Sequence, residues 1–463
     1  MSPSIAMPAP PGAPGMKLAE ARDEEAPNTE AYDRIVDNAF LRTSEAPLST
    51  FSIDVDTASY SNVRRFLNDG ALPPPDAVRI EELVNYFPYE YATPTGDEPF
   101  AASTEVTSCP WAPGHRLLRI GLQSKRIAAA EVPPRNLVFL LDVSGSMEDP
   151  RKLPLLRSAF ALLTAELRAE DTVSIVVYAG ASGMVLPPTS GADKRGIRAA
   201  LERLQAGGST NGGAGIELAY RTARASFKKG GINRVILATD GDFNVGVSSQ
   251  GELVRMVEKE RESGVFLTVL GLGTGNLKDS TMEQLADKGN GNYAYIDTLE
   301  EARKVLVEQA GATLVTVAKD VKIQLELNPR EVQAYRLIGY ENRMLRSEDF
   351  NDDKKDAGEI GAGHSVTAIY ELVPPGAPMP HESAPKVDAL KYQAPPSTSA
   401  ASASGELATL KLRYKAPDGD ESKLSSFAIV DRGASFDAAS VDLRFASSVA
   451  AFGMLLRDSP HKG

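Results

Sequence analysis

Asp142, Ser144 and Ser146 alternate along Asp142-Val143-Ser144-Gly145-Ser146, directly after the apolar run from Asn136 to Leu141. The run reads as a strand, and its end as a turn that can aim one carboxylate and two hydroxyls into a single crevice. This donor set suits a hard, oxygen-preferring divalent cation, with places left for water or a guest ligand. Mg²⁺ fits first, with Mn²⁺ or Ca²⁺ as further choices. Alone the string is weak, because Asp, Ser and Gly also populate ordinary turns. Two later segments strengthen it. The glycine-rich loop 207–213 carries Thr210 just before a helical stretch, and a second apolar strand, 234–239, ends at Asp240. Three loops thus supply three hydroxyls and two carboxylates.

With these segments in view, the chain resembles the von Willebrand factor type A domain and its metal-ion-dependent adhesion site. The family's Asp-x-Ser-x-Ser motif falls on Asp142, Ser144 and Ser146, its threonine on Thr210, and its second aspartate on Asp240. The resemblance implies that the hydroxyls and one carboxylate hold a divalent cation, partly through water. It also implies that a protein ligand presenting Asp or Glu completes the coordination. A second resemblance covers the flanks. The stretch 46–123, with Ala46-Pro47-Leu48-Ser49-Thr50-Phe51 and Asn85-Tyr86-Phe87-Pro88-Tyr89, is similar to the N-terminal extension of a bacterial subfamily. So is the region after 315, with Tyr335-Arg336-Leu337-Ile338-Gly339-Tyr340. That subfamily holds surface or envelope proteins, often lipoproteins. It implies an extracytoplasmic address and an upstream lipid anchor, although no cysteine near this N-terminus can carry one.

The elements that must position the crevice follow from periodicity. Apolar spacing predicts helices over 153–169, 194–204, 215–227, 253–263 and 300–310. Runs at 172–178, 265–270 and 292–296 read as strands. Strand–helix alternation gives an α/β, doubly wound, mostly parallel sheet over 131–313, and such sheets carry their sites beyond the carboxyl ends of the strands. The flank 29–130 contributes helices at 58–68 and 76–86 and a strand at 117–122. Residues 314–463 turn to strands, at 321–327, 335–340, 365–372, 408–414 and 425–430. These flanking strands are expected to pair in one all-β sandwich that clasps the α/β domain from both ends. A Pro-, Ser- and Ala-rich stretch, 374–405, reads as a linker. A final helix over 436–456 is expected to bury its Val441, Phe445, Val449, Phe452 and Leu456 stripe in the core.

Composition bounds the function. A chain of 463 residues holds two or three domains. Its 50 Lys and Arg against 62 Asp and Glu argue against general nucleic-acid binding, which needs a basic face. The single cysteine, Cys109, excludes a disulfide within the chain and a multi-cysteine zinc site, and reads as a packed residue. No apolar run approaches a membrane span, so direct membrane insertion is not expected. Residues 1–28, rich in Pro, Ala and acidic groups, read as a disordered tether without the charged and apolar regions of a secretory signal. Either the protein is cytoplasmic with a loose tail, or a signal or anchor lies upstream.

Catalytic signals are poor. No Gly-x-Ser-x-Gly elbow surrounds a nucleophile, and His115, His364, His381 and His461 lie away from the three metal segments. Asp54 and Asp56 have Ala58 where phosphoryl-transfer hydrolases need another residue, and Asn276 replaces the third glycine of a dinucleotide fingerprint. The acidic stretch 349–359 has Lys354 where a calcium loop needs glycine, so it reads as a solvated hairpin tip. Asp242 can either tune the metal from behind Asp240 or simply face solvent. The expectation is a non-enzymatic, metal-dependent binding module of the bacterial envelope. Two rivals stand beside it: an intracellular assembly factor working with an ATPase, and a scaffold in which a metal only stiffens loops.

Overall fold

The computed structural model describes residues 28–53, 55–209, 212–241, 250–309, 315–355, 357–380, 399–417 and 419–463. Residues 1–27 of the 1–28 tether, Asp54, Thr210, Asp242 and most of the 374–405 linker lie outside the described residues.

The N-terminal flank runs β1 (Leu41–Arg42), β2 (Leu48–Ser52), α1 (Ala58–Asn68), α2 (Ile80–Asn85), β3 (Phe100–Ser108) and β4 (Arg116–Ser124). The middle of the chain alternates. It begins with β5 (Arg135–Asp142), α3 (Leu153–Ala165), β6 (Thr172–Tyr178), β7 (Ser182–Ser190), α4 (Lys194–Glu202) and α5 (Gly212–Ala225). It continues through β8 (Ile232–Thr239), α6 (Gln250–Arg261), β9 (Phe266–Leu272), α7 (Asp279–Lys288), β10 (Tyr293–Ile296) and α8 (Leu299–Arg303). The C-terminal flank adds β11 (Thr316–Leu327), β12 (Ala334–Ile338), β13 (Met344–Leu345), β14 (Ile360–Gly361) and β15 (Ser365–Val373). It closes with β16 (Ala408–Lys415), β17 (Ser422–Ile429) and the helix α9 (Val441–Leu456).

The middle strands form one sheet in the order β10-β9-β8-β5-β6-β7, parallel except for β7. β5 sits at its centre, and its side chains alternate between two cores. Leu137, Phe139 and Leu141 pack with α3 and α4, while Val138 and Leu140 pack with α5. Burial on both faces explains the unbroken apolar run. The antiparallel β7 escaped prediction because Gly183, Pro187 and Pro188 weaken its strand signal. Prolines are tolerated there because β7 is an edge strand.

The flanks make two antiparallel sheets, β1-β12-β15-β4-β3 and β13-β2-β11-β16-β17. Phe51, Ile120, Leu122, Ile323, Leu325, Tyr370 and Leu410 interleave between them, so N- and C-terminal strands share one sandwich core, as expected. β1 and β2 also join it, which the sequence did not signal. The predicted 76–86 helix is interrupted, because Val78 is extended between a short 3-10 turn and α2.

The α9 expectation is overturned for Val441, Phe445 and Phe452, while Val449 and Leu456 are partly buried against Val63, Val78 and Leu83. Leu443, Ala446, Ser447, Ala450, Gly453 and Met454 form the buried face, whereas Val441, Phe445, Phe452 and Leu455 are exposed. Small residues win because they let the helix lie close on α2: a Cβ at Gly453 would stand 3.0 Å from Ile80 Cγ1. No helix among the described residues is long and apolar enough to cross a membrane.

The entry to the central strand is fastened by a buried carboxylate. Asp171 accepts hydrogen bonds from Arg135 N at 2.9 Å, Arg135 Nη2 at 2.8 Å and Arg168 N at 2.8 Å. Burial alone would raise its pKa, but the bonds from Arg135 and Arg168 overcome this and hold it at about 2, below the ordinary 3.8. A depressed carboxylate stabilises the fold above the unfolded pKa and loses that contribution as pH falls towards 2. In acid titrations followed by circular dichroism, Asp171→Asn should therefore remove on the order of 1–2 kcal/mol of the stability gained between pH 2 and pH 4, after allowing for solvent screening. An unchanged acid limb would contradict this.

Candidate metal centre

Asp142 is the last residue of β5, and the ends of both neighbouring strands close on it. Its Oδ1 accepts from Ser144 N at 2.9 Å, which turns the chain. Its Oδ2 accepts from Tyr178 Oη at 3.2 Å, at the end of β6, and from Thr239 Oγ1 at 3.0 Å, at the end of β8. The chain is extended at Ser144 and then enters a 3-10 turn, Gly145–Glu148. That bend puts Ser144 Oγ 3.1 Å from Ser146 Oγ. Asp142, Ser144 and Asp240 are buried, while Ser146 is exposed, so the crevice opens to solvent on the serine side.

The glycine-rich loop lies against this turn. Gly145 N donates to Gly208 O at 3.1 Å, and Gly207 N to Val143 O at 2.8 Å. Thr210 itself lies outside the described residues. The structure thus brings Asp142, Ser144, Ser146 and Asp240 together.

Asp240 leaves β8 into a constrained turn. Gly241 has φ +104°, and a Cβ there would stand 2.6 Å from Lys278 N, so no side chain fits. Asp240 Oδ2 accepts from Lys152 Nζ at 2.9 Å, and the same ammonium donates to Asn276 Oδ1 at 3.2 Å. The two carboxylates are polarised in opposite directions. Burial pushes Asp142 up to about 6, with the neighbouring Asp240 charge adding to it and the Ser144 hydrogen bonds only partly offsetting it. Burial acts the same way on Asp240, but hydrogen bonding from Asn276, Lys152 and Ser146 outweighs it and holds the group below its ordinary value. A carboxylate lifted by burial and by a second negative charge is one that a cation would relieve. The donor chemistry of these residues fits a divalent ion. Asp142, with both oxygens already accepting hydrogen bonds, is suited to hold it through water, and the serine hydroxyls are suited to bind it directly.

The sequence reading missed Lys152, Asn276, Tyr178 and Thr239. The last two were available from strand register, since both end strands beside β5. Lys152 and Asn276 meet only through folding, because 124 residues separate them.

Asp56, noted in the sequence but given no role, belongs to a different cluster. It accepts from Tyr293 N at 2.7 Å and lies 3.3 Å from Arg343 Nη2, in a buried ion cluster between the domain and its flanks.

The doubly wound sheet of β5 to β10 is the fold of a von Willebrand factor type A domain. The family described as "von Willebrand factor type A domain" matches residues 136–309, and that described as "von Willebrand factor" matches residues 26–119. Domains of this type typically bind a divalent metal and generally serve as metal-dependent protein-interaction modules. More narrowly, the chain belongs to the YfbK family. Residues 312–463 match "Uncharacterized protein YfbK, C-terminal". Over 442 residues the chain is 48% identical to the "Uncharacterized protein YfbK" of Escherichia coli K12, covering 94% of this chain and 75% of that protein. "Uncharacterized protein sll0103" of Synechocystis is 29% identical over 188 residues, 40% of this chain and 43% of that one. Among solved structures, "von Willebrand factor type A from Catenulispora acidiphila" is 16% identical and covers 72% of each chain, with a TM-score of 0.42.

Proposed function

We propose that this chain is a metal-dependent docking module. A divalent cation, Mg²⁺ first among the candidates, is held by Asp142, Ser144, Ser146, Thr210 and Asp240 and receives an Asp or Glu side chain from a protein partner. One observation carries the reading: buried Asp142, Ser144 and Asp240 converge from two adjacent strand ends beside the exposed Ser146. The metal supplies Lewis acidity. The protein supplies a fixed donor set and a partly desolvated rim, where a charge-assisted contact can anchor an interface. Binding rather than catalysis is supported by the fate of the acidic groups. Asp142 is committed to Ser144, Tyr178 and Thr239, and Asp240 to Lys152, so neither is placed as a general base for a serine.

We further propose an extracytoplasmic address in the bacterial envelope. The resemblance of the flanks to an envelope subfamily supports it.

The test is selection of displayed random peptides on the immobilised full chain, in Mg²⁺ and in EDTA. Peptides enriched in Asp or Glu, retained with Mg²⁺ and released by EDTA, are expected. Equal recovery in both conditions would sink the docking reading. A melting temperature raised by Mg²⁺ with no such peptides would identify a scaffold whose metal only stiffens loops.

A further inference from the structure

Lys152 is built into the metal centre with more care than a surface lysine needs. It immediately precedes α3, and its side chain is 8% exposed. Its stem runs beneath Gly273, where φ is +72° and a Cβ would stand 2.6 Å from Lys152 Cγ. The ammonium then reaches Asp240 Oδ2 at 2.9 Å and Asn276 Oδ1 at 3.2 Å. The loop bearing Asn276 is itself pinned. Thr29 N donates to Gly275 O at 2.6 Å, Ala31 N to Leu277 O at 2.9 Å, and Gly275 N to Glu30 Oε1 at 2.8 Å. The lysine is therefore covered by Gly273 and held by two acceptors.

The charge balance of the crevice gives this arrangement a consequence. Asp142 and Asp240 together carry two negative charges when ionised, which would cancel a divalent cation. A neutral ensemble draws a further anion only through the open position of its metal, whereas a positive one also draws it by net charge. Lys152 adds one fixed positive charge a hydrogen bond away from Asp240. The occupied centre then carries a net charge of +1, which a carboxylate guest neutralises and a neutral guest does not.

We propose that Lys152 is the specificity-determining residue of this centre: it ties up Asp240 and leaves a bound divalent ion short of one negative charge, so that the site selects a carboxylate. This inference rests on the metal-dependent reading above and names the residue that sets its guest chemistry. It carries a trade-off. Repulsion from Lys152 weakens metal binding in the absence of a guest and strengthens guest binding once the metal is in place.

The test uses the full chain with Mn²⁺ as metal and acetate as guest. Mn²⁺ affinity is read from the free-ion electron paramagnetic resonance signal, and acetate approach from relaxation of its methyl protons. Lys152→Met, which keeps the stem and removes the charge, is expected to bind Mn²⁺ about tenfold or more tightly and to lose most of the acetate relaxation. Lys152→Arg, which keeps the charge, is expected to retain the acetate relaxation. Asn276→Asp places a carboxylate on the ammonium and offsets its charge while Lys152 itself stays in place. It should shift both readouts as Lys152→Met does, and it serves if circular dichroism shows that Lys152→Met is unfolded. Neutralised variants within twofold of wild type on both readouts would overturn the inference and leave the metal reading standing. Wild type that binds Mn²⁺ without relaxing acetate would overturn the carboxylate guest and this inference together. Wild type that binds no Mn²⁺ would overturn the metal centre itself.

Discussion

Metal-stripped wild-type protein titrated with Mg²⁺ or Mn²⁺ in a calorimeter is expected to bind one ion, and Asp142→Ala to bind none. The loss should exceed the roughly 100-fold that removing an outer-shell partner of a metal can cost, because Asp142 holds both the serine turn and the two neighbouring strand ends. It fixes Ser144 through the backbone and ties the ends of β6 and β8 to β5 through Tyr178 and Thr239. Alanine also strands those buried hydroxyls, each at a cost of about 1–3 kcal/mol, so lost binding in that variant has two causes. Asp142→Asn separates them. The amide keeps the shape and an acceptor oxygen but lacks the charge, so it should fold and still fail to bind. Thermal melts give a second readout. Wild type at about 100 times the dissociation constant should gain about 2.7 kcal/mol, and Asp142→Asn nothing. An Asp142→Asn variant that binds like wild type would mean that the cation is not held here.

The centre was legible in sequence to the extent that its chemistry is local. Asp142, Ser144 and Ser146 lie within five residues, and an apolar run marks Asp240 as a strand end. Adjacent parallel strands then bring β5 and β8 together in register, Leu141 beside Ala238. The sandwich was legible as alternating strands, though not the entry of β1 and β2, because short strands carry few periods. The failure at α9 has a physical cause. Hydrophobic periodicity ranks Val441, Phe445 and Phe452 as the inward face, but the space above α2 admits only a close approach, so shape overrides transfer free energy. Lys152 was invisible because nothing in its neighbourhood distinguishes it from a solvated lysine. Its role comes from Asp240 and Asn276, and only the folded chain supplies them.

Replacing Arg343 with alanine is expected to destabilise the protein by about 3–5 kcal/mol, seen as a lowered urea midpoint, because it takes from the buried carboxylates of Asp56 and Glu283 one of the few positive charges that offset theirs. Asp56, Glu82 and Glu283 present oxygens within 4.8 Å of one another, a spacing that by itself would suit a cation. Guanidinium groups already occupy that role. Arg343 reaches Asp56 at 3.3 Å and Glu283 at 3.0 Å and also pairs with Asp287. Arg79 takes Glu82 and Asp279. The carboxylates still outnumber the guanidiniums, and Glu82 shows the excess. Burial, opposed by Arg79 and aided by the charge of Glu283, pushes it up to about 7. Removing Arg343 therefore breaks an ion cluster that draws on all three parts of the chain: Asp56 and Glu82 from the N-terminal flank, Asp279 and Glu283 from α7, and Arg343 from the C-terminal flank. Arg343→Lys should recover only part of the loss, since an ammonium cannot fork between Asp56, Glu283 and Asp287 as a guanidinium does. The same argument separates this cluster from the metal centre. In an Asp142→Asn background, Mg²⁺ should leave the urea midpoint unmoved if arginine fills the cluster. A midpoint that climbs with Mg²⁺ in that background would make the cluster a second cation site, and an Arg343→Ala variant within about 1 kcal/mol of its parent would remove it as the clamp that joins the flanks to the domain.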